Sequence, residues 1–180
     1  YAEIENKLPA QDYYIGAINC PSDEQIKTLI SGLKKALSKK NLPGIDRHNL
    51  LTLYTLCLST VGFGLRHSID PNFEINTYGK RSLITYVEKG SHRVLVAPNV
   101  VAEQIYIQRR YAEQRLNDKA MHEAKRPPTG SFFWIDKSTN STSIIHPSKI
   151  SVLLKAFNID FPYPLNSLRR VMFTRVCELG

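Results

Sequence analysis

Residues 46–64 read DRHNLLTLYTLCLSTVGFG, and this stretch predicts a helix of unusual composition. Apolar side chains fill most positions from Leu50 to Leu58, so the helix is apolar nearly all round instead of along one stripe. A helix of that kind has no side suited to water, and we therefore expect it at the centre of the core. It begins near Asp46 and ends in a glycine-containing turn at residues 61–64.

The segment before this helix predicts a second helix, which is amphipathic. Ser22 is a favoured N-cap residue, and Gln25 stands three positions later, as a capping box requires. Apolar residues then recur at helical spacing, namely Ile26, Leu29, Ile30, Leu33 and Leu37. A basic run follows on the polar side, namely Lys34, Lys35, Lys39 and Lys40. Such a run is more often a solvated face than a DNA contact, but it would also suit an edge that faces phosphates.

The segment after the central helix predicts a small antiparallel sheet. Residues 82–87 and 93–96 are rich in β-branched and apolar side chains, and a turn at residues 88–92 joins them. Residues 73–75 would add a third strand at the edge. We expect a hairpin or a three-stranded sheet here.

The remaining chain predicts helices with short connections. The expected elements are a long polar helix over 99–125, a break at 126–130, a short strand within 131–135, a polar loop at 138–143, and helices over 147–157 and 165–179. Aromatic residues at 132–134 favour core packing over a base-stacking platform, because no basic residues alternate with them. The expected fold class is α+β and mainly helical, with one small antiparallel sheet.

The charge balance favours a polyanionic partner. The chain has 24 Lys and Arg against 16 Asp and Glu, a net charge of +8, and basic side chains displace counterions from phosphates. The three cysteines and five histidines show no metal-ligand spacing, so we expect no metal and no other cofactor. No apolar run approaches the roughly 20 residues of a membrane helix, and no signal pattern is present, so we expect no membrane partner and a cytoplasmic location.

Three separated basic elements are candidates for chemistry: Arg66 after the central helix, Lys89 in the predicted hairpin turn, and Arg169-Arg170 in the last helix. Each has an ordinary structural explanation when taken alone, as a helix-capping side chain or as solvated charge. An arginine in the first turn of a helix is less ordinary, because the positive end of the helix dipole disfavours it unless an anion is near.

Taken in order, these elements resemble the motifs of the tyrosine recombinase, or phage integrase, family. Residues 60–66 read TVGFGLR and are similar to the family's helix that ends in Thr-Gly-Leu-Arg. Residues 87–90 read VEKG and are similar to its hairpin lysine motif. Residues 166–174 read NSLRRVMFT and, with the helix that continues to Gly180, are similar to its His-x-Leu-Arg motif and the following helix with an aromatic, a threonine and a glycine. The resemblance spans nearly the whole chain and rests on the agreement of three short motifs.

The resemblance implies site-specific DNA recombination or integration, by strand cleavage and religation through a 3′-phosphotyrosyl intermediate. Arg66 and Arg169 would clamp the scissile phosphate, and Lys89 would protonate the leaving 5′ oxygen. Asn166 stands where the family has histidine; it can hydrogen-bond a phosphate oxygen but cannot exchange a proton. Further expected DNA contacts are Lys34, Lys35, Lys39, Lys40, His67, His92 and Arg170. The implied origin is bacterial, phage or another mobile element.

The expected organisation is a linker or N-terminal extension over residues 1–20 and a partial catalytic domain over 21–180, with an insertion within about 101–140. The family's acidic residue three positions after the first arginine is absent, with Asp70 one place later. No tyrosine follows Arg169, so the nucleophile is expected beyond Gly180 in a longer protein. This fragment is then expected to be inactive and monomeric, and the full-length protein to form a tetramer on double-stranded DNA.

Two other hypotheses remain open. One is a non-catalytic DNA-binding relative that retains the phosphate clamp, which Asn166 would suit. The other is an unrelated basic helical interaction module, in which Arg66 and Arg169 would lie far apart. The recombinase hypothesis requires their guanidinium groups to converge on one basic face.

Overall fold

The structure is a computed structural model that describes residues 20–64, 74–88, 90–116 and 132–179. Helix α1 (Asp23–Leu37) begins with the predicted capping box. The Ser22 hydroxyl accepts a hydrogen bond from the Gln25 backbone N–H at 3.2 Å, and Gln25 Oε1 accepts one from the Ser22 N–H at 2.8 Å. Two of the otherwise unpaired donors at the helix start are thereby satisfied. The buried face of α1 consists of Ile26, Leu29, Leu33 and Ala36, as the periodicity predicts.

Helix α2 (Gly44–Phe63) is the central helix of the fold. Leu50, Leu53 and Leu56 are at most 2% exposed, which confirms that this helix lies in the core. It begins at Gly44, two residues before the predicted start, because Pro43 is the N-cap and its carbonyl accepts from Arg47 N–H at 2.9 Å. It ends as predicted: Gly64 adopts the left-handed conformation, with φ of 73°, and its N–H donates to Thr60 O at 3.0 Å.

A three-stranded antiparallel sheet follows in the order β1 (Glu74–Tyr78), β2 (Arg81–Glu88), β3 (Ser91–Pro98). The predicted three-stranded sheet is therefore confirmed, although its edge strand extends to Tyr78 and not only to residue 75. One face of the sheet is buried through Ile84 and Ala97. The sheet lies beside the C-terminal part of α2, where Phe63 joins the same core cluster.

Helix α3 (Asn99–Leu116) starts where the sequence predicts. The predicted continuation to residue 125 lies outside the described residues. Although α3 is polar, it packs on α2 through hydrogen bonds between side chains. Gln104 Nε2 donates to Thr55 Oγ1 at 3.2 Å, and Gln108 Nε2 donates to Thr52 Oγ1 at 3.3 Å. These bonds allow a polar helix to cover part of the central helix.

A second, two-stranded sheet consists of β4 (Phe133–Ile135) and β5 (Thr142–Ile144). The strand within 131–135 is confirmed, but the loop predicted at 138–143 was partly wrong, because Thr142 and Ser143 belong to β5. A strand of three residues is too short to show an alternating pattern. Asn49 on α2 anchors β4 from the side: its amide donates to Ile135 O at 2.8 Å and accepts from Ile135 N at 2.9 Å.

The aromatic cluster at 132–134 packs in the interior, as expected. Phe133 is fully buried, and its ring centroid lies 4.4 Å from that of His48. His48 Nε2 lies 2.9 Å from Phe133 O, and since a carbonyl can only accept, this nitrogen carries the proton. Trp134 is half-buried and meets Phe157 edge to face. Burial lowers the pKa of His48 to about 4, so His48 is a neutral core residue at pH 7.

The last part of the chain completes the main core. A 3-10 turn at Pro147–Lys149 leads into α4 (Ile150–Lys155), so the helix predicted over 147–157 is divided and ends two residues early. Helix α5 (Leu165–Leu179) has the predicted bounds. Its inner side packs with α1 and α2 in one cluster. The fold class is α+β and mainly helical, as predicted. None of the helices in the described ranges is long and apolar enough to cross a membrane.

Candidate nucleic-acid interface

Helix α5 carries the arginine of the third motif at the edge of the core. Leu165 and Leu168 are at most 1% exposed and hold the first turns of the helix against α1 and α2. Arg169 is the fifth residue of the helix and is half-buried. It therefore lies in the second turn and not in the first, which corrects the sequence-based placement and weakens the argument from the helix dipole.

The side chain of Arg169 reaches back to the end of the central helix. Its Nε donates a hydrogen bond of 3.0 Å to the carbonyl oxygen of Gly64. A helix end leaves backbone carbonyls without intrahelical partners, and a guanidinium is a suitable donor for them. The third motif is thus joined directly to the first, across 105 residues of sequence.

Gly64 lies where a side chain would meet α5. A Cβ placed on Gly64 would overlap Cε of Met172, the flexible end of that side chain, and would lie 3.7 Å from two ring atoms of Phe173. Its left-handed φ of 73° would also strain any other residue. The sequence motif places a glycine here, and the structure gives both reasons for it.

Phe173 lies one turn after Arg169 on α5, with its ring against the guanidinium. Arg169 Cζ is 4.9 Å from the ring centroid, within the range of a cation–π contact. Phe173 is 48% exposed, so its ring lies at the surface beside Arg169. The third sequence motif contains Phe173 as its aromatic residue, but its contact with Arg169 was not predicted, although the spacing of four residues on a helix was an available signal.

Three predicted site residues, Arg66, His67 and Lys89, lie outside the described residues, as does Asp70. The structure does describe residues close in sequence to two of them, namely Gly64 before Arg66 and Glu88 before Lys89. Gly64 is bonded to Arg169, and the β2–β3 hairpin is paired up to Glu88 and Ser91.

The other predicted residues of this region are exposed. Asn166 and Arg170 are both exposed on α5, three and one positions from Arg169, so Asn166 and Arg169 lie on neighbouring parts of one helix face. His92 is exposed on β3, paired with Val87 near the hairpin end.

The predicted lysines are all exposed but lie at the other end of α2. Arg47, in the first turn of α2, donates to Lys39 O at 3.4 Å, which places the loop between α1 and α2 beside that end. From Arg47 to Gly64 the helix axis is about 25 Å long. The structure therefore does not bring Lys39 and Lys40 together with Arg169. Lys34 and Lys35 lie in the last turn of α1, which leads into the same loop.

Comparisons with known proteins agree with this architecture. No protein-family model matches the chain, and no curated protein matches it. Among solved structures it is similar to the XerH site-specific recombinase bound to difH substrate in a pre-cleavage complex, with a TM-score of 0.53 and 11% identity over 89% of this chain and 43% of that chain. It is also similar to XerA recombinase, with a TM-score of 0.48 and 16% identity over 89% of this chain and 51% of that one.

The similarity to XerH shows that the chain has a tyrosine-recombinase-like fold, as the sequence motifs predict. The chain spans less than half of the XerH chain and about half of the XerA chain.

Proposed function

We propose that this chain is part of a tyrosine recombinase, which cuts and rejoins duplex DNA through a 3′-phosphotyrosyl intermediate. One observation carries the proposal: the 3.0 Å hydrogen bond from Arg169 Nε to Gly64 O. It joins the helix of the second arginine motif to the turn that leads into the first arginine motif. Gly64 precedes Arg66 by two residues in the sequence, so the covalent chain alone keeps the Cα atom of Gly64 within about 7 Å of the Cα atom of Arg66.

The contact of Arg169 with the end of α2 favours a shared site over two unrelated surface charges, since the first arginine motif continues from that end. Two arginines that share a site repel each other unless an anion lies between them. A phosphate between them removes that repulsion and accepts hydrogen bonds from both guanidinium groups. The clamp that the recombinase chemistry needs is therefore compatible with the position of Arg169.

The proposed reaction is a transesterification at one phosphate. A tyrosine hydroxyl loses its proton to solvent and its oxygen forms a bond to phosphorus, while the bond from phosphorus to the 5′ oxygen breaks and the leaving oxygen takes a proton from Lys89. Arg66 and Arg169 stabilise the extra negative charge of the pentavalent transition state. Religation runs the same steps in reverse. We place the tyrosine nucleophile beyond Gly180 in the full-length protein.

The remaining assignments belong to the same proposal. Asn166, exposed one turn before Arg169, donates its amide to a non-bridging phosphate oxygen and takes no part in proton transfer. Duplex DNA is the partner, as it is the substrate class of a site-specific recombinase. We assign residues 21–180 to part of the catalytic domain and expect the full-length protein to act as a tetramer on DNA in the cytoplasm.

The salt dependence of DNA binding tests whether Arg169 contacts phosphate. The probe is a labelled duplex of mixed sequence, about three helical turns long, titrated between about 50 and 200 mM salt. Arg169→Ala should weaken binding about 10-fold, as loss of a charged hydrogen bond does, and should lower the salt slope by about one.

The matched control is Arg110→Ala, which removes the same charge from an exposed position on α3. It should change the affinity less than about 2-fold, in the range of an isolated surface charge. Equal effects of the two substitutions, or no effect of Arg169→Ala, would contradict a phosphate site at Arg169 and favour a generally basic surface.

A non-catalytic DNA-binding relative is the second candidate, because Asn166 replaces a proton-transferring histidine. It predicts the same binding results. The full-length protein separates the two functions: a recombinase forms a denaturation-resistant covalent complex with DNA, and a non-catalytic relative does not.

A further inference from the structure

We propose that Phe173 is a positioning residue that holds the Arg169 guanidinium in the orientation required for phosphate contact. The inference rests on the proposed function and gives a role to Phe173, to which the sequence motif assigns none. Phe173 touches neither the substrate nor the reacting atoms in this account. It acts through Arg169.

Two contacts together define the plane and the rotation of the guanidinium. The ring of Phe173, with its centroid 4.9 Å from Arg169 Cζ, restricts how the planar group can tilt. The hydrogen bond from Nε to Gly64 O fixes rotation within that plane.

The position of Phe173 is explained by this role better than by core packing. Its side chain is 48% exposed, so core packing accounts for little of its placement, whereas Val171 two positions earlier is 9% exposed and belongs to the core. The ring nevertheless lies against the backbone of Gly64 as well as against Arg169, since two of its atoms are 3.7 Å from the site of a Gly64 Cβ. Phe173 thus contacts both partners of the same hydrogen bond.

Holding an arginine before its ligand arrives increases affinity. An arginine side chain loses much rotational freedom when it is fixed on a phosphate, and a side chain that is already fixed loses less on binding. A stacked arginine at a half-exposed site gains an interaction that corresponds to about 2- to 5-fold in affinity. We expect that factor in DNA binding when the ring is removed.

The experiment measures the affinity of the 180-residue chain for the same mixed-sequence duplex, with Phe173→Leu in two backgrounds. In the otherwise unchanged chain, Phe173→Leu should weaken binding about 2- to 5-fold. In the Arg169→Ala background it should have no further effect, because the residue through which it acts is gone. Phe173→Tyr keeps the ring and should bind as the unchanged chain does.

A second aromatic–arginine pair supplies the control for helix stacking in general. Tyr106 is 57% exposed on α3, and Arg110 Cζ lies 5.9 Å from its ring centroid, at the same spacing of four residues. Tyr106→Leu removes an equivalent contact on α3, which does not involve Arg169, and should leave DNA affinity unchanged. Circular dichroism of each variant reports whether the fold is retained.

Each outcome has one meaning. If Arg169→Ala weakens binding but Phe173→Leu does not, the positioning role is overturned and the phosphate site stands. If Phe173→Leu weakens binding equally in both backgrounds, Phe173 acts independently of Arg169, and the inference is again overturned. If Arg169→Ala has no effect, the proposed function fails first, and the inference fails with it.

Discussion

Arg169 donates a 3.0 Å hydrogen bond from Nε to the backbone carbonyl of Gly64, and this bond connects two segments that are 105 residues apart in sequence. The bond depends on a left-handed glycine at the end of a buried helix and on an arginine in the second turn of another helix. Both helices are held by the same core. The position of Arg169, the candidate phosphate-binding residue, is therefore set by the packing of two helices and not by a loop.

Substitution of Gly64 should destabilise the fold and the site together. Gly64→Ala places a Cβ against Met172 Cε and strains the left-handed backbone. The expected loss is about 1–3 kcal/mol in the free energy of unfolding, measured by urea titration, and most of it comes from the backbone because the end of Met172 is flexible. Gly79→Ala is the matched control, because Gly79 also has a positive φ, of 57°, but nothing lies within 4 Å of its Cβ site. A loss no larger than that of Gly79→Ala would show that the close approach at Gly64 is unimportant.

Removal of the Asn49 side chain should be among the more damaging single changes. Asn49 is fully buried and bonds both the N–H and the carbonyl of Ile135. Asn49→Ala leaves two buried backbone groups without these partners and should lower the free energy of unfolding by about 2–4 kcal/mol. Asn166→Ala, at an exposed asparagine, should change it by less than about 0.5 kcal/mol. Similar values for the two variants would mean that the anchor of β4 contributes little.

The stability of the protein should fall as the pH drops from about 6.5 to about 4. Burial lowers the pKa of His48 to about 4 from its usual 6.5, so over this interval the unfolded chain binds a proton that the folded chain does not. The free energy of unfolding therefore rises with pH across the interval, and the His48 contribution amounts to about 2–3 kcal/mol. His48→Gln removes the titrating group and should flatten the pH dependence. An unchanged slope in His48→Gln would assign the effect to other groups.

The lysines of the α1–α2 loop should contribute to DNA affinity independently of Arg169. Lys39 and Lys40 are exposed at the opposite end of α2, about 25 Å along the helix from Gly64. The double substitution Lys39→Ala, Lys40→Ala should lower the salt slope by up to about two. Combined with Arg169→Ala, its effect on binding free energy should add within about 0.5 kcal/mol. Strong coupling between these sites would contradict the separation in the structure.

The sequence predicts those parts of the fold that depend on local signals. The capping box at Ser22 and Gln25, the buried α2 and the bounds of α5 follow from spacing and helix-end residues, and the structure confirms them. The strand β5 could not be predicted, because three polar or exposed residues carry no alternating pattern. Its pairing with β4 depends on a hairpin whose turn is held by the Asp136 carboxylate, which accepts from the N–H groups of Ser138 and Thr139.

The candidate site was only partly predictable. Arg169 could be selected because its motif is local in sequence. Its partner could not be predicted, because the acceptor is the backbone carbonyl of Gly64 and every residue has such a carbonyl. Phe173 could be matched only as the aromatic residue of its motif, and its contact with Arg169 and its exposure appear only when α5 is placed against α2. The lysine run was assigned to DNA from charge alone, and charge does not tell which end of α2 it occupies.

The most direct test of the central claim is a double-mutant cycle between Arg66 and Arg169 in DNA binding at fixed salt. If both guanidinium groups bind one phosphate, each single alanine substitution should weaken binding about 10-fold, and the double variant should bind nearly as well as either single one. The double variant would then bind about 10-fold more tightly than the product of the two single effects predicts, and this factor measures the coupling between the two arginines. Effects that multiply to about 100-fold, with no coupling, would show that the two arginines act at separate places and would contradict a shared phosphate clamp.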